Sequence, residues 1–508
     1  MIQFFLSGSA MLLLAGIVLS GTVITGVRRI WFSPLSKFPG PKLAALTLWY
    51  EFYFDFIKKG SFHWKIQDMH RKYGPIVRIS PYEVHILDPD FWDELYCANR
   101  KLDRYDWWVK LIGAPGSAFG AVGHDLHRLR RAPLSSFFSA RAVTQLEDQI
   151  MSKVEKLSAR FLGLVETGEV FRFDAAFLAL SMDIITEYAF AKDDKYLDKP
   201  DFEVIWKETL SGAARCSPLI IQFPWLVSLA QALPIALVSA INSHFGLYLR
   251  WKQVVREQVK PILAAGPGTT KPSGDGQSTR TIFHTILDSD LPPHEKTLDR
   301  LVDEGGILVF AGSDTTGQTL SRLFFYFKHE PQVLAKLREE LDEAIPEADK
   351  IPTWTALQQL PYLSATVKEA IRMSYSTTAR LPRVTQTDIE YEGYTIPAGT
   401  PTSQTPYLIL TDASVFPEPE KFRPERWIEA GKELNKYFIA FNRGSRQCLG
   451  MNLAYAKLYL TIATIVRRFD WEMYETTLER DVVCNHGFML AAPSLDSKGI
   501  RAKITARR

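Results

Sequence analysis

A ten-residue segment near the carboxyl end, FNRGSRQCLG (441–450), constrains this chain more than any other stretch. It places Cys448 between two glycines and two residues after Arg446. The residues that follow, 451–469, carry apolar side chains at the spacing of one helical face. We therefore expect Cys448 just before a helix N-terminus. The helix dipole favours a thiolate there, and the glycines allow a tight loop whose N–H groups turn toward the sulfur.

A cysteine in such a loop has three interpretations. A lone thiolate with a cation nearby suits an axial ligand of haem iron, with Arg446 reaching an anionic group beside it. A cysteine nucleophile would need a histidine base, and no histidine lies near in sequence. The third interpretation is a buried, inert cysteine. The chain's three other cysteines form no C-x-x-C pair, so neither a disulfide framework nor a structural zinc site is expected.

The N-terminal segment 1–27 contains no charged residue, and Arg28 and Arg29 follow it. About 20 apolar residues cross the hydrocarbon core of a bilayer. We predict a retained transmembrane anchor over 1–27, with the chain after the arginines on the cytosolic side. A cleaved signal peptide is the alternative, but it lacks a clear basic start and cleavage site. Residues 28–45 contain FPGP and are predicted to form a proline-rich hinge.

The remaining chain, 46–508, is predicted to be one domain, mainly α with small β-sheets (α+β). The segment 264–279 is rich in Gly, Pro, Ser and Thr and is interpreted as a surface loop rather than a domain boundary. Apolar periodicity and turn residues predict helices over 300–329, 330–346 and 363–375, two short strands over 73–88, and a hairpin over 388–401 turning at Gly393.

The segment 441–450 resembles the haem-binding signature of the cytochrome P-450 family, F-x-x-G-x-R-x-C-x-G. The fixed positions are Phe441, Gly444, Arg446, Cys448 and Gly450. Other segments are similar to further motifs of the family, in the family's order: AGSDTT (311–316), KEAIR with Glu369 and Arg372, and FRPERW with Arg426.

The resemblance implies the cytochrome P-450 fold with an N-terminal transmembrane helix, and haem b held by the Cys448 thiolate. It implies that Thr315 hydrogen-bonds dioxygen and that Asp314 helps relay protons. It also implies a structural charge network of Glu369, Arg372 and Arg426. The family's propionate contacts suggest Arg446, Arg383, Arg131 and His127, although His127 stands where the family usually has tryptophan.

The resemblance implies a monooxygenase that inserts one oxygen atom from dioxygen into a lipophilic small molecule. The sequence looks most similar to fungal microsomal members that tailor secondary metabolites, with terpenoid-pathway oxygenases nearest. A polyketide or alkaloid substrate is the alternative. A rearrangement or dehydration without oxygenation is a second alternative, although the intact Thr315 and Asp314 disfavour it. A haem-binding carrier is a third. The substrate pocket is expected between 103–120, Phe310 and Ala311 of the long helix, and 486–493.

Partners follow from composition and from the resemblance. With 60 basic and 57 acidic residues, the chain has no global excess of positive charge, so a nucleic-acid partner is not expected. No G-x-G-x-x-G fingerprint follows a strand, so electrons must come from another protein. The family implies NADPH–cytochrome P-450 reductase in the endoplasmic reticulum membrane. Lys432, Lys436 and Arg443 are candidates for its docking surface.

Overall fold

The computed structural model describes residues 8–268, 271–272, 278–279, 281–375 and 377–508. Residues 1–7 of the predicted anchor lie outside the described residues. So do 269–270 and 273–277 of the predicted surface loop.

Helices make up most of the described chain. In order they are α1 (Gly8–Trp31), α2 (Lys42–Leu46), α3 (Trp49–Phe52), α4 (Phe62–Tyr73), α5 (Trp92–Leu95), α6 (Asp106–Val109), α7 (His124–Phe137), α8 (Ala140–Gln145), α9 (Glu147–Thr167), α10 (Phe173–Phe190), α11 (Ile205–Gln222), α12 (Trp225–Ala232), α13 (Ile235–Ile241), α14 (Ser243–Ala265), α15 (Ile282–Leu287), α16 (Leu298–His329), α17 (Pro331–Ala344), α18 (Trp354–Leu357), α19 (Pro361–Met373), α20 (Pro406–Leu410), α21 (Glu425–Glu429) and α22 (Met451–Arg468).

The strands are short. They are β1 (Ile76–Arg78), β2 (Val84–Ile86), β3 (Leu102–Arg104), β4 (Phe171–Arg172), β5 (Lys271–Pro272), β6 (Ser278–Thr279), β7 (Arg383–Thr385), β8 (Ile389–Tyr391), β9 (Tyr394–Ile396), β10 (Pro401–Ser403), β11 (Phe469–Met473), β12 (His486–Phe488), β13 (Leu490–Ala492) and β14 (Arg501–Arg507). This mainly α architecture with small sheets confirms the predicted fold class.

The largest sheet has the strand order β1-β2-β10-β7-β3. Its strands β3 and β7 run antiparallel, and Arg104 pairs with Arg383 across them. A second sheet has the order β11-β14-β4, and the pairs β12–β13, β8–β9 and β5–β6 form separate two-stranded ribbons. The predicted hairpin is confirmed as β8–β9, and Gly393 in its turn has a φ of +79°.

Helix α1 projects from the body. Ala10–Trp31 is long and apolar enough to cross a membrane, with a mean hydropathy of 2.2, and none of its most apolar window is buried. The helix continues beyond the predicted end at residue 27, and its last turn carries Arg28 and Arg29. Positive charge is favourable there because the last carbonyl groups of a helix carry partial negative charge.

The hinge after α1 is docked on the large sheet by one arginine. The Arg78 backbone N–H donates to the Pro39 carbonyl (2.7 Å), and its guanidinium donates to the carbonyls of Arg29 (2.9 Å) and Pro81 (2.9 Å). Arg78 is buried. Its hydrogen bonds therefore tie the end of the apolar helix directly to the body.

Helix α16 is the centre of the body and packs against α10, α14, α19 and α22. The predicted helix over 300–329 is confirmed, and α17 begins at Pro331, which needs no N–H in a first turn. Helix α22 is the predicted helix after Cys448, and the side chains expected on its inner face, Leu453, Ala456, Leu460 and Ala463, are all buried.

Glu369 is the centre of a fully buried charge network. Its carboxylate accepts hydrogen bonds from Arg372 (2.8 and 2.9 Å), Arg426 (3.0 Å) and the Trp427 indole N–H (2.8 Å). Burial alone raises the pKa of Glu369, but the neighbouring guanidinium groups outweigh it and hold that pKa below its ordinary value. Arg372 also donates to the Pro419 carbonyl (2.8 Å), so the network joins α19 to the segment that leads to Cys448.

Replacing Glu369 with glutamine should destabilise the fold strongly. The two buried guanidinium groups of Arg372 and Arg426 then lose the carboxylate that they share, which costs about 3–5 kcal/mol of unfolding free energy. Urea-induced unfolding measures the loss. The matched control is Glu347→Gln, because Glu347 pairs with Lys350 at 68% and 75% side-chain exposure, and such a pair contributes at most about 1 kcal/mol. Equal losses in the two variants would contradict a structural role for Glu369.

Candidate functional site

The loop before α22 is held by its own backbone. The Cys448 N–H donates to the Phe441 carbonyl (2.9 Å), and residues Gly444–Arg446 form a 3-10 turn. Gly444 has a φ of +70°, and a Cβ there would lie 2.2 Å from the Tyr96 carbonyl oxygen, so only glycine fits. Gly450 has an ordinary φ of −87°, and its N–H points to the Cys448 sulfur.

Cys448 lies inside the protein but faces an internal cavity, which explains its exposed side chain. Burial raises the pKa of the thiol, while the Gly450 N–H and the charges of Arg131 and Lys457 oppose this rise. Phe441, at the start of the loop, packs against Tyr455 of α22, with ring centroids 5.3 Å apart. The loop therefore presents a single sulfur atom to the cavity from a rigid support.

The cavity has a volume of about 340 Å³ and mostly apolar walls. The three segments predicted to enclose a pocket all contribute. Trp108, Ile112 and Phe119 come from the first segment, Phe310 and Ala311 from α16, and Met489 and Leu490 from the β12–β13 ribbon. Cys448 and Thr315 also line this cavity, so the structure brings the loop and the α16 motif to the same space.

Four arginines and one histidine line one side of the same cavity: Arg104, Arg131, Arg383, Arg446 and His127. Burial lowers the pKa of all five. The pKa of Arg446 falls to about 9 and that of His127 to about 2, because burial adds to repulsion among the clustered arginines.

No described residue places a carboxylate in an ion pair with this cationic cluster. Among the described residues that line the cavity, the one carboxylate is Glu304, and it pairs with Arg300 at 2.9 Å. The Arg383 guanidinium donates to the neighbouring Pro382 carbonyl (3.1 Å). Arg446 donates to the carbonyls of Ala121 (2.9 Å) and Val122 (2.8 Å), and the charge of Asp103 offsets only part of the burial and repulsion that lower its pKa.

Three polar atoms of the cluster are buried and have no hydrogen-bond partner among the described residues. They are Nε of Arg104, Nε of Arg446 and Nδ1 of His127. An unsatisfied buried polar atom costs about 1–3 kcal/mol, and an unpaired buried charge costs more. The arrangement is therefore suited to an anionic group that enters the cavity and accepts hydrogen bonds from this side.

The α16 motif divides its two candidate residues between different environments. Thr315 faces the cavity, and its hydroxyl donates to the Ala311 carbonyl one turn earlier (2.9 Å). Asp314 is buried on another side of the helix. It accepts hydrogen bonds from Lys207 of α11 (2.6 Å) and from the Gln318 side-chain amide (2.5 Å). The motif is in mid-helix, which excludes a helix cap or an exposed turn.

Sequence reasoning missed three of these residues. Arg104 enters the cluster because β3 pairs with β7, and Lys207 reaches Asp314 because α11 crosses α16. Lys457 is also buried at the cavity wall, and its ammonium group donates to the Gly312 carbonyl (2.6 Å). Burial lowers the pKa of Lys457 to about 7, although the Cys448 sulfur opposes the change. The sequence signal that could have identified Lys457 is its position, nine residues after Cys448 and on the buried face of a helix.

Comparison with known families matches residues 39–498 to the family described as Cytochrome P450. The chain belongs to the cytochrome P450 family. It is 39% identical to cytochrome P450 monooxygenase MO6277 of Ascocoryne sarcoides, over 98% of this chain and 97% of that protein. It is 40% identical to cytochrome P450 monooxygenase sdnE of Sordaria araneosa, over 94% and 95%.

A third relative is N-acetyltryptophan 6-hydroxylase ivoC of Emericella nidulans, which is 36% identical over 97% of both chains. The chain is thus a cytochrome P450 monooxygenase, an oxidoreductase with fungal relatives in secondary metabolism. The family uses haem iron with a cysteine thiolate, and acts on small molecules with dioxygen and a redox partner. These relatives do not fix one substrate class.

The contact between Lys207 and Asp314 predicts a strong coupling. In Lys207→Met the buried carboxylate keeps only the Gln318 amide, and we expect a loss of about 3–5 kcal/mol of unfolding free energy. The double variant K207M/D314N should recover most of this loss, because neither side then leaves an unpaired charge. Urea-induced unfolding of both single variants and the double variant measures the coupling. Strictly additive losses would contradict the pairing.

Proposed function

We propose that the cavity holds haem b, with the Cys448 thiolate as the axial ligand of iron. The observation that carries this proposal is the set of unbalanced cations around the cavity that Cys448 faces. Haem carries two propionate carboxylates, which fit the unpartnered atoms of Arg104, Arg446 and His127 and the guanidinium groups of Arg131 and Arg383 at the same cavity. Phe441, Gly444 and Gly450 shape the thiolate loop, and the Gly450 N–H tunes its electron donation.

We further propose a monooxygenase reaction. A substrate RH, dioxygen, two electrons and two protons give ROH and water. Haem supplies the activation of dioxygen, aided by the electron density of the thiolate. The Thr315 hydroxyl donates to the Ala311 carbonyl (2.9 Å) in the structure, and rotation of its O–H would direct that hydrogen bond into the cavity. Asp314 accepts a hydrogen bond from the Lys207 ammonium group of α11 (2.6 Å), and this pair serves the proton relay from the outer side of α16.

The proposed substrate is a lipophilic, terpenoid-like intermediate of fungal secondary metabolism. The walls around Phe310, Ala311 and Leu490 offer mainly apolar contact. A polyketide or alkaloid intermediate remains the alternative substrate. A rearrangement or dehydration by the same fold is disfavoured, because such a reaction needs neither Thr315 at the cavity nor Asp314 beside it.

We propose that residues 1–27 anchor the protein as a single-pass helix in the endoplasmic reticulum membrane, with 28–45 as hinge. The catalytic domain, 46–508, then faces the cytosol, where NADPH–cytochrome P-450 reductase supplies electrons. Lys432 is exposed and available for docking. Lys436 and Arg443 already pair with Asp90 (2.9 Å) and Asp93. Their charges are partly compensated within the chain, which makes Lys432 the stronger candidate.

Thr315→Ala tests the proposed reaction. With reductase, NADPH, isotopically labelled dioxygen and a panel of terpenoid, polyketide and indole alkaloid compounds, the parent protein should form a product with one labelled oxygen atom. The variant should continue to oxidise NADPH and to release hydrogen peroxide. It should form at least about tenfold less product, because the Thr315 hydroxyl, the proposed proton donor, is lost. Thr319→Ala is the matched control, because its hydroxyl makes the same bond one turn later, to the Thr315 carbonyl (2.9 Å). Unlabelled or isomerised products would contradict monooxygenation.

A further inference from the structure

A second, smaller cavity adjoins the main one. Its volume is about 60 Å³, and Trp108, Ala379 and Met489 line both cavities. The backbone of this shared wall is fixed, because the Met489 carbonyl accepts hydrogen bonds from the N–H groups of Thr378 (3.0 Å) and Ala379 (3.3 Å). The unbranched Met489 side chain is the adaptable part. The space is large enough for a small polar group or a few water molecules.

Two polar side chains of this cavity are buried without hydrogen-bond partners in the described part of the chain. They are His63, 5% exposed with a free Nε2, and Thr378, 2% exposed with a free hydroxyl. Both approach Gly487, where a Cβ would lie 2.6 Å from Nδ1 of His63 and 2.9 Å from Oγ1 of Thr378. Glycine at position 487 thus allows His63 and Thr378 to approach the backbone closely, and both side chains line the cavity with one unsatisfied polar atom each, although such atoms normally find partners.

The charges around this cavity select against an anion. At its wall, Arg380 binds Glu51 in a bidentate pair (2.8 and 2.9 Å) and also binds Glu83 (2.7 Å). One cation therefore faces two carboxylates. Asp55 stands beside them with its pKa raised to about 8 by burial and by the charge of Glu51.

His63 and Thr378 present neutral hydrogen-bonding groups near pH 7, because burial lowers the pKa of His63 to about 3. Both can donate or accept one hydrogen bond. A hydroxyl group can do the same in return, whereas a hydrocarbon leaves both groups unsatisfied. A carboxylate would meet the negative charge of Glu51 and Glu83.

We propose that this second cavity, lined by His63 and Thr378, binds a hydroxyl group at one end of the substrate while the carbon to be oxidised lies in the main cavity. This inference rests on the proposed oxygenase function and narrows its substrate to a lipophilic alcohol. It also places this reaction after another one. An earlier oxygenation or hydration must install that hydroxyl group before this enzyme acts.

Calorimetric titration of the full-length haem-loaded protein tests the proposal. The probes are farnesol, farnesene and farnesoic acid, which share one carbon skeleton and end in a hydroxyl, a hydrocarbon and a carboxylate. The variant is Thr378→Val, which removes the hydroxyl with little change of shape. The matched control is Thr209→Val, because the Thr209 hydroxyl is equally buried and unpartnered but lines neither cavity.

The parent and the Thr209→Val protein should bind farnesol more tightly than the other two probes. Thr378→Val should weaken farnesol binding by roughly three- to tenfold, the worth of one hydrogen bond, and leave farnesene binding unchanged. His63→Leu provides a second variant with the same expected pattern. The proposal is overturned if farnesol is not preferred, including when no probe binds, or if Thr378→Val weakens farnesol and farnesene alike.

The reduced carbon monoxide spectrum of each protein separates two kinds of failure. A normal haem-thiolate spectrum without preference for the alcohol overturns the hydroxyl subsite alone. Loss of that spectrum in the parent overturns the proposed function on which the subsite rests.

Discussion

A buried guanidinium group without an ion-paired anionic partner costs several kcal/mol, and this chain places three of them, with the half-buried Arg131, around one cavity. The Arg104 guanidinium lies over the Phe119 ring, but Nε of Arg104 and Nε of Arg446 have no hydrogen-bond partner among the described residues. The fold therefore maintains a site of high positive potential at its centre. An anionic cofactor that enters this site relieves the repulsion, so binding of the cofactor and stability of the body are linked.

A second charge network, centred on Glu369, has its buried charges paired. Glu369 has donors for both carboxylate oxygens, and its network is closed and uninvolved in the cavity. It ties α19 to the segment preceding the thiolate loop, while Gly444 fits under the Tyr96 carbonyl on the other side. The loop that carries the Cys448 sulfur is thus held by groups whose hydrogen bonds are satisfied. The polar groups without hydrogen-bond partners among the described residues line the cavity, where a ligand would bind. This division between a rigid support and an open site is what preorganisation requires.

Local features could be predicted from the sequence. Helices α16, α17, α19 and α22 follow from apolar spacing and from Pro331, and the β8–β9 turn follows from Gly393. Contacts between residues that are far apart in the sequence could not be predicted. Arg104 reaches the cluster only through the register of β3 on β7, and Lys207 meets Asp314 only where two helices cross. The pairing of Lys436 and Arg443 with Asp90 and Asp93 was hidden for the same reason, since more than 300 residues separate each pair.

The measurement that tests the central claim most directly is the reduced carbon monoxide difference spectrum of membranes containing the parent chain, Cys448→Ala and Cys484→Ala. Cys484 is a free cysteine that does not line the main cavity, which makes it the matched control. The account predicts a Soret band shifted far to the red in the parent and in Cys484→Ala, and no such band in Cys448→Ala. A band that persists in Cys448→Ala, or is missing from haem-loaded parent protein, would contradict thiolate ligation by Cys448.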